Sequence, residues 1–277
     1  MITLKAIHPK LTPSDAIHEY VRSPDGTRIG FSRFGSGPAV VFVHGSISRG
    51  ADWLGVVSCL AHRFTCLTMD RRGYGRSDPG SPSYSIDREY DDIVAVLTAA
   101  GSDASLVGHS YGAICSLGAA LRSSVHRLVL YEPPLPIGGL IAGNDLAPFC
   151  TAVSDGRLDD ALEIGLEKFV RLPIEHVHAI RSSSTWARLV ALISPWPREL
   201  QALDDLAGDA EAYTGITCPT LLLLGTESSE HPFRNAIAAL HGVLPNVRNA
   251  LLAGQGHMAM RTAQVLLAQQ IARFVTA

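Results

Sequence analysis

No stretch of this sequence holds the roughly 18 apolar residues in a row that a membrane-spanning helix needs, and the opening residues MITLKAIHPK lack the apolar core of a secretory leader. The expectation is a cytoplasmic protein without a membrane partner. Basic clusters are missing too: 23 Lys and Arg stand against 26 Asp and Glu, a formal net charge of −3. Such a chain projects no field suited to nucleic acid or an anionic membrane, so a nucleic-acid partner is excluded from the expectation. Cysteine is scarce. Cys59, Cys66, Cys115, Cys150 and Cys218 are scattered, odd in number and without metal-ligand spacing, which argues against a disulfide framework and for reduced thiols. His176 and His178 have no carboxylate cluster nearby and read as surface residues, so no metal is expected. No phosphate-cradling glycine loop is present either. The glycines of GSGPAVVFVHG, residues 35–45, precede a strand and do not join a strand to a helix, so no dinucleotide or other cofactor is implied.

What the chain does have is length and apolar residues. Its 277 residues are 47% hydrophobic, enough to bury one large core. Short apolar runs alternate with amphipathic stretches, without internal repeats, as parallel strands joined by crossover helices do. IHEYVR and RIGFSRF flank Pro24-Asp25-Gly26-Thr27, a turn sequence that predicts an N-terminal antiparallel hairpin. AVVFVHG, FTCLTMD, ASLVGHS, HRLVLYE, PTLLLLG and VRNALLA are near-continuous apolar runs, as expected of strands covered on both faces. Ser85 and Gly101 bracket a helix as N-cap and stop, and a last helix is predicted from about Met258 to Phe274. Between about Pro136 and Tyr213 the periodicity is helical with no strand. The predicted organisation is an α/β core of residues 1–135 and 214–277, interrupted by a helical lid at 136–213.

The stretch LVGHSYGAI, Leu106 to Ile114, sets one serine between two glycines where an apolar run meets a helix-forming one. If a central strand ends there and a helix begins, the chain must reverse sharply at Ser110. A side chain at Gly108 or Gly112 would collide with that reversal. The serine is then held in a strained conformation at the strand end, its hydroxyl projecting, with a helix N-terminus beneath it that favours developing negative charge. That is the geometry of a nucleophile elbow.

Three further stretches carry a family resemblance. VVFVHGSISRGADW resembles the third strand and oxyanion loop of the α/β-hydrolase superfamily, with the pair His44-Gly45 and a tryptophan at Trp53. MDRRGYGRSD resembles its loop after the fourth strand, and GQGHMAM its histidine loop, with His257 between the last strand and the final helix. The resemblance implies an α/β-hydrolase fold and a serine nucleophile, Ser110, served by His257 as base. It also implies an oxyanion hole of the backbone N–H groups of Tyr111 and Ser46.

The third triad member departs from the family pattern. The superfamily usually has an aspartate three residues beyond the glycine of TLLLLG, and Ser228 stands there. Glu132, which ends LVLYE, is favoured as the acid because a rigid strand end orients an imidazole better than a loop does. Glu227 is the next alternative, and Glu230 lies close enough in the same loop to serve as well. His44 and His109 read as structural, Asp70, Arg71 and Arg72 as loop-fixing, and Trp186 and Trp196 as anchors that line the pocket. Ser110 disfavours the aspartate-nucleophile chemistries of the fold. The expected function is hydrolysis of an ester, thioester or lactone of a small, moderately apolar molecule through an acyl-enzyme. A non-hydrolytic biosynthetic enzyme (cyclase, lyase or acyltransferase) and a ligand-binding protein on the same scaffold are the alternatives.

Overall fold

A computed structural model describes residues 11–81, 83–206 and 208–277 of the chain; residues 1–10, which the sequence reading joins to the core, lie outside the described residues. Strands β1 (Ile17–Arg22) and β2 (Arg28–Phe34) pair antiparallel around the predicted turn, where Ser23 N–H donates to the Thr27 carbonyl at 2.9 Å. β2 then pairs antiparallel with β4 (Thr65–Met69). From there the sheet is parallel, through β3 (Ala39–Val43), β5 (Ser105–His109), β6 (Leu128–Tyr131), β7 (Thr220–Gly225) and β8 (Val247–Leu252). The eight strands run in the order β1-β2-β4-β3-β5-β6-β7-β8. The reversal from β3 to β5 opens a crevice at the carboxyl ends of the central strands, where α/β sheets place their sites.

Helices cover both faces. α1 (Leu54–Ser58), α10 (Ala259–Thr262) and α11 (Gln264–Val275) pack on one side, in a cluster with Phe42, Val107, Leu223 and Ile271. α2 (Ile86–Ala100), α3 (Tyr111–Ala120) and α9 (Asn235–Val243) pack on the other. Ser85 caps α2 by accepting the Asp87 N–H at 3.2 Å, and Gly101 ends it at φ 105°. α3 is apolar all round and buried along nearly its whole length, as a helix enclosed by sheet and neighbours must be.

Between β6 and β7 the chain forms α4 (Leu146–Ser154), α5 (Leu158–Ile164), α6 (Ile174–Arg181), α7 (Thr185–Val190) and α8 (Trp196–Asp204), with no strand among the described residues of that interval. Phe149, Phe169 and Trp196 meet edge to face at its centre, with ring centroids 5.2 to 5.8 Å apart. These rings belong to the same buried cluster as Val41 and Leu106 of the sheet, so the helical interval shares the core of the domain.

Two sequence expectations need correction. β8 is not covered on both faces: Arg248, Asn249 and Leu251 are exposed, because β8 is the terminal strand with a neighbour on one side only. The single last helix is two, broken at Ala263 (φ −142°, ψ 49°), while Thr262 Oγ1 is tied to Gln255 Oε1 at 2.7 Å. No glycine or proline marks that break.

Packing at the head of α3 yields a stability prediction. A Cβ on Gly112 would lie 2.3 Å from the His44 carbonyl oxygen and 2.7 Å from that of Val43, both backbone atoms. Gly112→Ala is expected to destabilise the fold by about 1–3 kcal/mol or more. Gly242→Ala, with nothing within 4 Å of the added methyl, is expected to be neutral or slightly stabilising. Urea unfolding of both variants checks the contrast.

Candidate active site

β5 ends at His109 and α3 begins at Tyr111, leaving Ser110 alone to turn the chain at φ 53°, ψ −127°. The flanking glycines are required on steric grounds. A Cβ on Gly108 would sit 2.5 Å from Ser116 Oγ and 2.7 Å from Ala113 Cα, and Gly112 has no more room. The Ser110 N–H still donates to the Tyr131 carbonyl at 2.9 Å, so the strained residue is pinned to β6. Four described residues other than glycine have positive φ: Ile47, Ser110, Glu132 and Arg171. Ile47, Ser110 and Arg171 line one cavity, and Glu132 contacts a fourth wall residue, His257. Backbone strain of about 1–3 kcal/mol per residue is thereby gathered around one site.

Glu132 leaves β6 one residue beyond Tyr131, its N–H bonded to the Leu223 carbonyl at 3.1 Å. Its side chain is fully buried. One carboxylate oxygen, Oε1, accepts the Gly225 N–H at 2.7 Å and the Ser228 hydroxyl at 2.5 Å, and the other, Oε2, meets His257 Nδ1 at 2.7 Å. Of the glutamates left open by the sequence, Glu132 therefore faces the imidazole, while Glu227 is exposed on the cavity wall and Glu230 is exposed as well. Ser228, where the resemblance led to the expectation of an aspartate, donates its hydroxyl to the Glu132 carboxylate.

The imidazole of His257 is clamped between rings. Phe233 stacks on one side, with centroids 4.3 Å apart and planes 20° from parallel, and His109 lies 4.5 Å away. His109 Nε2 donates to the His257 carbonyl at 2.9 Å. The Tyr131 hydroxyl donates to the Gly256 carbonyl and accepts the Ala259 N–H at 3.1 Å. Phe233, Tyr131 and the hydrogen bonds of Ser228 went unread in the sequence; an apolar residue inside the polar run ESSEHPFRN is the signal that marks Phe233.

His44 and His109, read from sequence as structural, both bond to backbone groups through their rings. A carbonyl can only accept and an amide only donate, so His44 carries its proton on Nδ1 toward the Gly45 carbonyl (2.7 Å) and accepts the Arg71 N–H on Nε2 (3.0 Å). Burial, together with the Arg71 charge, pulls its pKa down to about 3. Burial also holds His109 well below the ordinary range, with the neighbouring His257 acting the same way.

Ser46 and Tyr111 both line the cavity, and Tyr111 N–H stands at the first position of α3, where the helix offers it no acceptor. Arg71 is completely buried between Glu89 of α2 (3.1 Å) and Glu199 of α8, with its guanidinium 4.5 Å over the Tyr111 ring. Burial raises the Glu199 pKa from its ordinary value. Arg72 is held by Asp92 at 2.7 Å, and Asp70 accepts the Gly50 and Arg76 N–H groups at 2.8 and 3.0 Å. The three loop residues are thus held in place, Arg71 and Arg72 by acidic partners not identified from sequence and Asp70 by backbone N–H groups.

The cavity encloses about 840 Å³. Buried Leu166, Phe169, Trp196, Leu200 and Leu203 form an apolar wall from the helical interval. Trp186, expected beside Trp196, does not line it; its indole N–H is bound to Asp159 at 2.5 Å. His176 lines the cavity and is exposed. Among the described residues no three His, Cys, Asp or Glu are grouped as metal ligands, and no helix is long and apolar enough to cross a membrane.

A sequence profile of the alpha/beta hydrolase family matches residues 40–270. The chain belongs to the alpha/beta hydrolase family. Within that family it is 26% identical over 262 residues to 2-(acetamidomethylene)succinate hydrolase of Mesorhizobium japonicum, covering 88% of this chain and 90% of that protein. It is 32% identical over 161 residues to N-formylmaleamate deformylase of Pseudomonas putida, 49% of this chain and 60% of that protein. The crystal structure of an alpha/beta hydrolase from Sphaerobacter thermophilus superposes with a TM-score of 0.81 at 29% identity, over 92% of this chain and 99% of that one.

The depressed pKa of His44 carries a pH prediction. Its folded value of about 3 lies below the ordinary 6.5. On acidification below 6.5 the unfolded chain therefore takes up a proton that the folded chain refuses, and stability falls through that window by up to about 1.4 kcal/mol per pH unit. Replacing the group removes this contribution, so His44→Gln is expected to lose stability less steeply than wild type between pH 6.5 and 4.5. Urea unfolding at three pH values compares the two slopes; parallel slopes would contradict a neutral buried His44.

Proposed function

We propose that this protein is a serine hydrolase that cleaves an ester, thioester or lactone of a small, moderately apolar molecule through an acyl-enzyme. The carrying observation is the 2.7 Å contact between Glu132 Oε2 and His257 Nδ1, made in the wall of the cavity that a strained Ser110 also lines. Because the carboxylate accepts, Nδ1 of His257 holds the proton and Nε2 is left with a free lone pair. That nitrogen takes the Ser110 proton as Oγ attacks the substrate carbonyl, and the resulting imidazolium is stabilised by Glu132.

The tetrahedral oxyanion accepts from the backbone N–H groups of Tyr111 and Ser46, the first of them strengthened by the α3 N-terminus. His257 then gives its proton to the leaving group, which departs and leaves Ser110 acylated. Water repeats the sequence to release the acid. Residues 136–213 act as a lid whose apolar wall receives the hydrocarbon part of the substrate and limits access of bulk water.

A second reading has its own support. Two relatives are named for compounds bearing an N-acyl group, an acetamidomethylene succinate and an N-formyl maleamate. The same steps hydrolyse an amide if His257 protonates a leaving nitrogen, so amides join the candidate substrates.

A fluorophosphonate probe is expected to label the wild-type protein at Ser110 and to leave Ser110→Ala unlabelled. A folded wild-type protein that resists the probe contradicts the proposal. Tight ligand binding without turnover, unchanged in Ser110→Ala, would favour a binding protein instead. Among variants, Glu132→Gln is expected to reduce kcat about 10⁴-fold, as loss of a triad acid does, and Glu227→Gln to stay within a few-fold of wild type. The reverse ranking, read with a p-nitrophenyl ester, assigns the acid to the loop.

A further inference from the structure

Asp52, in the loop that follows β3, is shared by two arginines from different parts of the fold. Arg188 of α7 reaches its Oδ1 at 3.1 Å and Oδ2 at 3.3 Å, and Arg261 of α10 reaches Oδ1 at 3.3 Å. The Ser48 hydroxyl and the Arg49 N–H also donate to Oδ2, at 2.8 and 3.1 Å. One carboxylate cannot neutralise two guanidinium groups, so one positive charge is left over in a partly buried place, with 27% of the Arg261 side chain exposed.

That surplus lies on the substrate side. Arg261 and Ser48 both line the cavity that holds Ser110 and His257. The Arg261 charge reaches far enough to help hold the His109 pKa down, beside Ser110 in sequence. Burial, aided by the nearby Arg188 charge, keeps the Arg261 pKa below its ordinary value despite Asp52. A guanidinium in that condition gains from any further anion that reaches it. The other charged groups of the cavity wall are Arg171, exposed and in a left-handed backbone conformation, and one carboxylate, Glu227. The wall is therefore net positive in a chain whose formal charge is −3.

We propose that Arg261 binds a carboxylate carried by the substrate, so that the acyl compound cleaved at Ser110 has an apolar stretch and an anionic end. The surplus is a single charge on a planar fork, which suits a carboxylate better than a phosphate dianion. The inference rests on the reading of Ser110 as nucleophile, and its test separates the two.

Hydrolysis of p-nitrophenyl hexanoate is compared with that of the mono-p-nitrophenyl ester of adipic acid, which has the same chain length and ends in a carboxylate. The wild-type kcat/KM is expected to favour the adipate ester by about 10-fold or more, mainly through KM, in line with one charge-assisted contact. In Arg261→Gln that ratio is expected to fall about 10-fold, and in Arg261→Lys to recover in part. Asp52→Asn, which removes the competing carboxylate and keeps both arginines, is expected to raise the ratio. An ion-pair network that only braces the fold would move both esters together in all three variants and leave the ratio unchanged. Turnover of both esters with a wild-type ratio near or below one, or a ratio indifferent to Arg261→Gln in a variant with native circular dichroism, overturns this inference alone. Turnover of neither ester, with Ser110 unlabelled by the fluorophosphonate, overturns the nucleophile reading and this inference with it.

Discussion

A single buried carboxylate ties together the parts of the molecule that must converge. Glu132 stands at the end of β6, takes hydrogen bonds from Gly225 and Ser228 at the end of β7, and meets His257 in the loop after β8. Withdrawing a carboxylate from water costs several kcal/mol unless its oxygens are satisfied. Here every contact that satisfies Glu132 also positions something: the β7 turn on one oxygen, the imidazole on the other. The same logic accounts for the side chain at position 228. With the Glu132 carboxylate reaching the loop after β7, that loop needs a short donor, and Ser228 provides one.

A second set of buried charges works at longer range. Arg71 lies between Glu89 of α2 and Glu199 of α8, against the face of the ring of Tyr111, the residue that follows Ser110. It couples the helical interval to the sheet, with two carboxyl groups on one guanidinium. At Asp52 the surplus is positive, with two guanidinium groups on one carboxylate. The first cluster is sealed from solvent and does not line the cavity, whereas the second contributes Arg261 to the cavity wall. Burial and balance thus separate a charge set sealed inside the fold from one that reaches the cavity wall.

Much of the fold was legible because its signals are local. Apolar runs marked the strands, Ser85 and Gly101 marked the ends of α2, and the glycines around Ser110 marked the elbow through a clash that needs only neighbouring residues to foresee. His257 was legible from its own loop. What escaped depends on contacts far apart in the chain. Glu132 and His257 are separated by 125 residues, and Ser228 and Glu132 by 96, so local pattern could rank Glu132 over Glu227 only by the stiffness of a strand end. The exposure of β8 follows from its place in the strand order, and the break at Ala263 has no breaker residue. Trp186 and Trp196 carry the same local signal, and the docking of α7 and α8 sends one to Asp159 and the other to the cavity.

The central claim is that Glu132, and no other carboxylate, holds the proton-bearing nitrogen of His257. A proton NMR spectrum in water tests it directly through the far-downfield resonance of an imidazole N–H shared with a carboxylate. That resonance is predicted in the wild-type protein, retained in Glu227→Gln and lost in Glu132→Gln. Its persistence in Glu132→Gln, or its loss in Glu227→Gln, would contradict the account.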